Sequence, residues 1–196
     1  VPLLWQCVPH VAHLAIRNMG TLGGSIALAD PAAEYPAVVL ALQATITLQG
    51  PHGVRDVAAD DYFLGLYETA RAEDELLVAV TFPKVKDSEV MVFDELTRRR
   101  GDYALCGLAA AFDVSGGVIR AARLAYLSMG DTPVLAPTAA AALMGKAPSE
   151  ETIAAAEIAL INDLSPRSDL HGSVNGKLHW AKVLFGRSVR QLGKSA

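Results

Sequence analysis

Apolar positions near the start of the chain recur with helical spacing. Leu3, Leu4, Cys7, Val8, Val11 and Leu14 fall three or four apart, with Pro9 weakening the middle of the segment. Gly20, Gly23 and Gly24 then interrupt the pattern, so Arg17 to Ser25 is predicted to be a loop in which glycine opens backbone angles closed to other residues. Asp30-Pro31 offers a helix cap and a first helical residue, and Glu34 to Leu42 predicts a short apolar helix. From Ala44 the period changes to two. Ala44 to Leu48 and Val54 to Val57 read as strands joined through Gly50-Pro51-His52-Gly53. Asp60 to Tyr67, carrying Tyr62, Phe63 and Tyr67, predicts a short helix or ordered loop. Leu76 to Phe82 predicts a buried strand that stops at Pro83.

Lys84 to Glu89 is the only polar connector of any length, and it suggests a division into residues 1–86 and 87–196. Beyond it, Met91 to Leu96, Ala104 to Val114 and Val118 to Ser128 predict three strands, the last two joined by Ser115-Gly116-Gly117. Ala136 to Met144 and Glu150 to Ile161 are Ala-rich and helical, with Ser149 as a cap. A final helix is predicted over Val174 to Leu192, its apolar face formed by Leu178, Ala181, Leu184, Phe185 and Val189. The expected class is α+β in two pieces, with no internal repeat.

Composition narrows the function classes. Of 196 residues, 52% are hydrophobic and 19% charged, which excludes a disordered chain. Seventeen Lys and Arg against 21 Asp and Glu give a net charge of −4 with no basic block, a poor basis for binding nucleic acid. The longest charge-free stretch, Tyr35 to Val54, is broken by Pro36, Gly50, Pro51 and Gly53, so no membrane span is expected. Cys7 and Cys106 are too few for a disulfide scaffold, and the expected compartment is a reducing cytoplasm. The opening Val1-Pro2-Leu3-Leu4-Trp5 has no charged leader, so the chain is expected to begin inside a fold.

The strongest chemical signal is the glycine cluster. Successive backbone N–H groups in such a segment can cradle phosphate oxygens, with Thr21 and Ser25 adding hydroxyls, although tight structural turns use the same residues. Neither a P-loop nor a Rossmann fingerprint is present. His10 and His13 could share a helix face, but a zinc site needs three or four ligands, which favours a structural role. Cys106, in an apolar strand, reads as an inert core thiol. Arg98-Arg99-Arg100 could steer an anion or simply end a strand. Asp60-Asp61 and Glu73-Asp74-Glu75 read as exposed carboxylates at element starts. No Ser-His-Asp or Cys-His set is evident.

The longer string Ile16-Arg17-Asn18-Met19-Gly20-Thr21-Leu22-Gly23-Gly24-Ser25, followed by Ala29-Asp30-Pro31-Ala32-Ala33-Glu34 and Pro36, resembles the second FAD-binding segment of the molybdenum hydroxylase flavoproteins. These are the medium subunits of the carbon monoxide dehydrogenase and xanthine dehydrogenase group. Asp74-Glu75-Leu76-Leu77, Arg99-Arg100-Gly101-Asp102-Tyr103-Ala104 and Ser165-Pro166-Arg167-Ser168-Asp169-Leu170-His171-Gly172-Ser173 continue the likeness in order. The resemblance implies the second lobe of a PCMH-type FAD-binding domain, followed by a C-terminal three-stranded antiparallel sheet with helices like that of the CO dehydrogenase flavoprotein. The N-terminal FAD subdomain of that family, with its own glycine-rich segment, is missing from this sequence.

By the same resemblance, Thr21, Leu22, Gly23, Gly24 and Ser25 would contact the FAD pyrophosphate and ribityl chain. Glu34 would hydrogen-bond the cofactor, the Leu77 backbone would lie against the flavin, and Tyr103 would screen its face. Asn18 and Asp30 would brace the segment. The resemblance further implies an iron–sulfur small subunit, carrying [2Fe-2S] clusters, and a molybdopterin large subunit as partners, with NAD+ or a quinone as electron acceptor. Asp94 stands where some relatives carry a lysine. The alternatives are a stand-alone FAD reductase of the same fold, or a cofactor-free remnant that only docks to partner subunits.

Overall fold

The computed structural model describes residues 1–193. The first segment is shorter in helix than its spacing suggests. Helix α1 (Pro2–Cys7) ends ahead of Pro9, and after a turn the four-residue α2 (Leu14–Arg17) follows. The predicted glycine loop is itself partly helical. Thr21 caps α3 (Leu22–Leu28), its Oγ1 accepting the Gly24 N–H at 2.9 Å, and none of Gly20, Gly23 and Gly24 has a positive φ. Glycine serves there by its small size, because a Cβ on Gly24 would stand 2.9 Å from Thr21 Oγ1. Asp30 does not start the next helix. Its Oδ1 accepts the Ala32 N–H in a turn, and α4 (Glu34–Ala41) begins four residues later. Beyond Glu34 and the half-buried Tyr35, helix α4 is apolar and buried on all sides.

Strand β1 (Thr45–Gly50) pairs antiparallel with both β2 (Gly53–Ala58) and β5 (Leu76–Thr81), giving the order β2-β1-β5. Between β2 and β5, a 3₁₀ turn at Ala59–Asp61 leads into a small hairpin of β3 (Phe63–Gly65) and β4 (Glu68–Thr69). The expectation of a buried strand at β5 is overturned. As a sheet edge it leaves Leu76 71% exposed and Val78 half exposed, so its continuous apolar run does not report a covered face. Glu75, expected as an exposed carboxylate, has a side chain only 12% exposed and receives two hydrogen bonds from Arg55 at 2.7 and 2.8 Å. That pairing holds its carboxyl down at about 2. Asp60 is likewise ion-paired, with Arg123.

The second sheet has four strands rather than three, in the order β6 (Glu89–Leu96), β7 (Cys106–Ser115), β8 (Val118–Leu127) and β9 (Val134–Leu135). The two-residue β9 is too short to mark itself in a period-two pattern. Alternate residues serve two cores. Val92, Leu108, Ala110, Phe112, Leu124 and Tyr126 pack with α5 (Pro137–Leu143), α6 (Glu150–Leu160) and α7 (Val174–Leu192). On the other face, Met91, Phe93, Ala109, Ala125 and Leu127 pack with α1, α4 and the first sheet. The sheet of the second segment is therefore also a wall of the first segment's core. Ser149 and Ser173 cap α6 and α7 through the N–H groups of Thr152 and Gly176.

Candidate functional site

The sequence-predicted residues fall into two groups. Thr21, Gly23, Gly24 and Ser25 form the capped first turn of α3, Thr21 and Gly24 exposed and Gly23 and Ser25 half-buried, while the Leu22 side chain packs on the core. This turn leans on β5, and a Cβ added to Gly23 would touch the Leu77 side chain at 3.5 Å. Helix geometry leaves the Leu22 and Gly23 N–H groups without intrahelical acceptors, a donor set suited to an anionic oxygen. Leu77 and the capped turn thus share one surface.

The second group surrounds a cleft of about 970 Å³ between the two segments. Asp30, Tyr67, Arg98, Tyr103, Arg167 and Lys177 are among its lining residues. The Tyr103 ring is 73% exposed at the cleft. The charge of Asp30, then burial, then Tyr67 and Glu34 push the Tyr103 phenol up, so it remains a hydrogen-bond donor at neutral pH. Glu34 does not line the cleft. It is buried at the start of α4, where burial and Asp30 raise its carboxyl against the opposing hydrogen bond of its own N–H. It acts on Tyr103 through charge from below.

Part of this wall, Ser128 and Lys177, had no local signal in the sequence. Tyr67 and Ser128 line the cleft with left-handed backbones, at φ 57° and 62°, an arrangement costly for side-chain-bearing residues. Ser128 is held by its N–H donating to Pro31 O and its hydroxyl to Ala104 O. Lys177, buried on α7, donates to Asp169 at 2.6 Å, and Asp169 also accepts the His171 and Gly172 N–H groups. The Lys177 bond leads these in holding the Asp169 carboxyl at about 2. Arg167 reaches Asp131 at 3.1 Å. Cys7 and Cys106 are buried free thiols that burial pushes up to about 12, so neither is a nucleophile. No helix among the described residues is long and apolar enough to cross a membrane.

Two family descriptions match the chain: the FAD-binding domain in molybdopterin dehydrogenase over residues 1–85, and the CO dehydrogenase flavoprotein C-terminal domain over residues 91–192. The carbon monoxide dehydrogenase medium chain of Hydrogenophaga pseudoflava is 33% identical over 189 residues, covering 96% of this chain and 66% of that protein. The nicotine 6-hydroxylase medium subunit of Paenarthrobacter nicotinovorans is 35% identical over 193 residues, covering 98% and 68%. Quinoline 2-oxidoreductase from Pseudomonas putida 86 superposes with a TM-score of 0.93 at 40% identity, over 100% of this chain and 68% of that one. The chain thus spans about two thirds of the length of the curated relatives it matches. Sequence, fold and the paired segments agree: the chain belongs to the family of FAD-binding medium subunits of the molybdenum hydroxylases.

Proposed function

We propose that this chain holds FAD and transfers electrons within a molybdenum hydroxylase complex. The match of residues 1–85 to the FAD-binding domain carries this reading. The residues present also fit the group. The turn Thr21–Ser25 offers unblocked N–H groups, two hydroxyls and no Cβ at Gly23 or Gly24, while Tyr103 presents an exposed ring at a cleft beyond it. The flavin, when bound, supplies the redox chemistry. The protein's part is binding and electrostatics. Leu22, Gly23, Gly24 and Ser25 would receive the pyrophosphate and ribityl chain, and the Leu77 backbone would lie against the ring. Tyr103 would cover the ring's face, and Glu34 would be the acidic hydrogen-bond partner of the cofactor.

Electrons would come from a [2Fe-2S]-bearing small subunit served by a molybdopterin large subunit and leave to NAD+ or a quinone. Cytoplasmic location agrees with two unpaired thiols. The test is flavin content, read from the visible spectrum of the purified complex. Gly23→Asp places a side chain and a negative charge in the phosphate turn, and we expect less than about a tenth of the wild-type flavin to remain. Full flavin content in that variant would overturn the assignment.

A further inference from the structure

An acid–base pair outside the cleft, its acid buried and its histidine side chain 35% exposed, joins the two segments. Glu95, on β6 opposite Gly107, has a side chain only 4% exposed. Its Oε1 stands 3.2 Å from Nδ1 of His10, and its Oε2 is buried with no hydrogen-bond partner among the described residues. The His10 ring also packs on Phe93, at 5.2 Å between centroids. A carboxylate oxygen sealed off without a donor is costly, whereas a carboxylic acid beside an imidazole is not. The pair therefore retains one mobile proton. Whether that proton is on oxygen or nitrogen, the pair is neutral overall.

The surrounding charges favour keeping it. Glu34 on α4 and Asp94 on β6, itself 3.3 Å from Arg187 of α7, are the acidic neighbours, and Cys7 on α1 is a neutral thiol beside them. Arg100 is the cation that acts on His10. Burial first, then Glu34 and Asp94, push the Glu95 carboxyl up to about 8, while burial lowers His10.

The position of His10 gives the pair its reach. It stands in the turn between α1 and α2, where Ala12 has φ 40° and Arg17 donates to the carbonyls of Val11 and Ala12 at 2.7 and 2.8 Å. His13, at the end of this turn, packs so closely on Gly101 that a Cβ there would overlap its ring. Gly101, Asp102 and Tyr103 are successive cleft residues.

We propose that His10 and Glu95 form a proton-dependent clasp that fixes the α1–α2 turn onto β6 and, through His13 and Gly101, holds the Tyr103 side of the cleft. Loss of the proton leaves an unpaired charge under the turn and loosens both. The consequence for FAD affinity rests on the flavin reading above; the clasp itself does not.

Hydrogen exchange from pH 6.5 to 9, corrected for intrinsic rates, tests it without cofactor. Protection of residues 8–14 and 98–104 should fall about tenfold as pH passes 8, with α6 unchanged. Glu95→Gln, which keeps a neutral side chain able to donate to His10, should flatten that profile. A flat wild-type profile, or the same pH dependence in Glu95→Gln, would overturn the clasp. Should that variant not fold, the His10 ring resonances of the wild-type chain decide: an inflection near 8, reporting the Glu95 proton, supports the clasp, and its absence refutes it. FAD titration at each pH separates the two readings. Failure to bind at pH 6.5 counts against the flavin assignment, and binding that stays constant while protection falls removes only the link to the cofactor.

Discussion

Tyr67 holds a left-handed backbone with its ring half exposed at the cleft, so little packing offsets the strain. Tyr67→Asn should raise stability by about 0.5–1 kcal/mol, because asparagine tolerates this region better. The urea midpoint of the purified chain would show it, and a lower midpoint would mean that the ring contributes more than it costs. Lys177 and Asp169 behave oppositely. Asp169→Asn leaves a buried ammonium without its charged partner and should destabilise by about 1–3 kcal/mol, again read from urea unfolding. The pair also has a pH signature. The folded-state pKa of Asp169 lies below its unfolded value, so its contribution is complete only above about pH 5 and disappears as pH falls through about 3.8 toward about 2. Acid unfolding of wild type and Asp169→Asn should converge over that range.

At the scale of elements, the contact between α1 and β6 is the most economical arrangement in the molecule. Strand β6 has a free edge, and Gln6 of α1 meets it, donating from Nε2 to Met91 O and accepting the Phe93 N–H at Oε1, each at 2.9 Å. One side chain thereby stands in for a neighbouring strand. Gln6→Ala should cost about 1–2 kcal/mol in urea unfolding and expose an edge prone to pairing with other chains, so its loss of solubility should exceed that of Trp5→Ala on the exposed face of α1. The ease of reading elements from sequence tracks their self-sufficiency. Helix α7 is long, capped by Ser173 and clearly periodic, and its predicted and observed limits coincide at Val174–Leu192. Helix α3 was hidden because Gly23 and Gly24 argue against helix; its Thr21 cap, its seat on β5 and the burial of Ile26 in the core around α4 stabilise it. For β5 the error was of environment. An apolar run shows that a face can be buried, not that this chain buries it.

Across the whole molecule, the second sheet decides how the chain unfolds. Because Met91, Phe93, Ala109, Ala125 and Leu127 complete the core around α4, separating the two segments would strip both. Heating followed by near- and far-ultraviolet dichroism should give coincident transitions; two resolved steps would show that the segments fold apart. The cleft is a product of the same union, and this is why the sequence showed only part of it. Asp30, Tyr103 and Arg167 lie in recognisable strings, but Tyr67, Ser128 and Lys177 come together from far apart in the chain. The two-sided sheet also predicts how the gene can vary. On an ordinary surface sheet, tolerance to substitution alternates along each strand as faces turn from core to solvent. In β7 both faces are enclosed from Cys106 to Ala110, where every residue but Leu108 is small. A saturation scan should therefore find an unbroken block of intolerance there, with even Gly107→Ala and Ala109→Val rejected, so that this strand drifts more slowly than its modest chemistry would suggest.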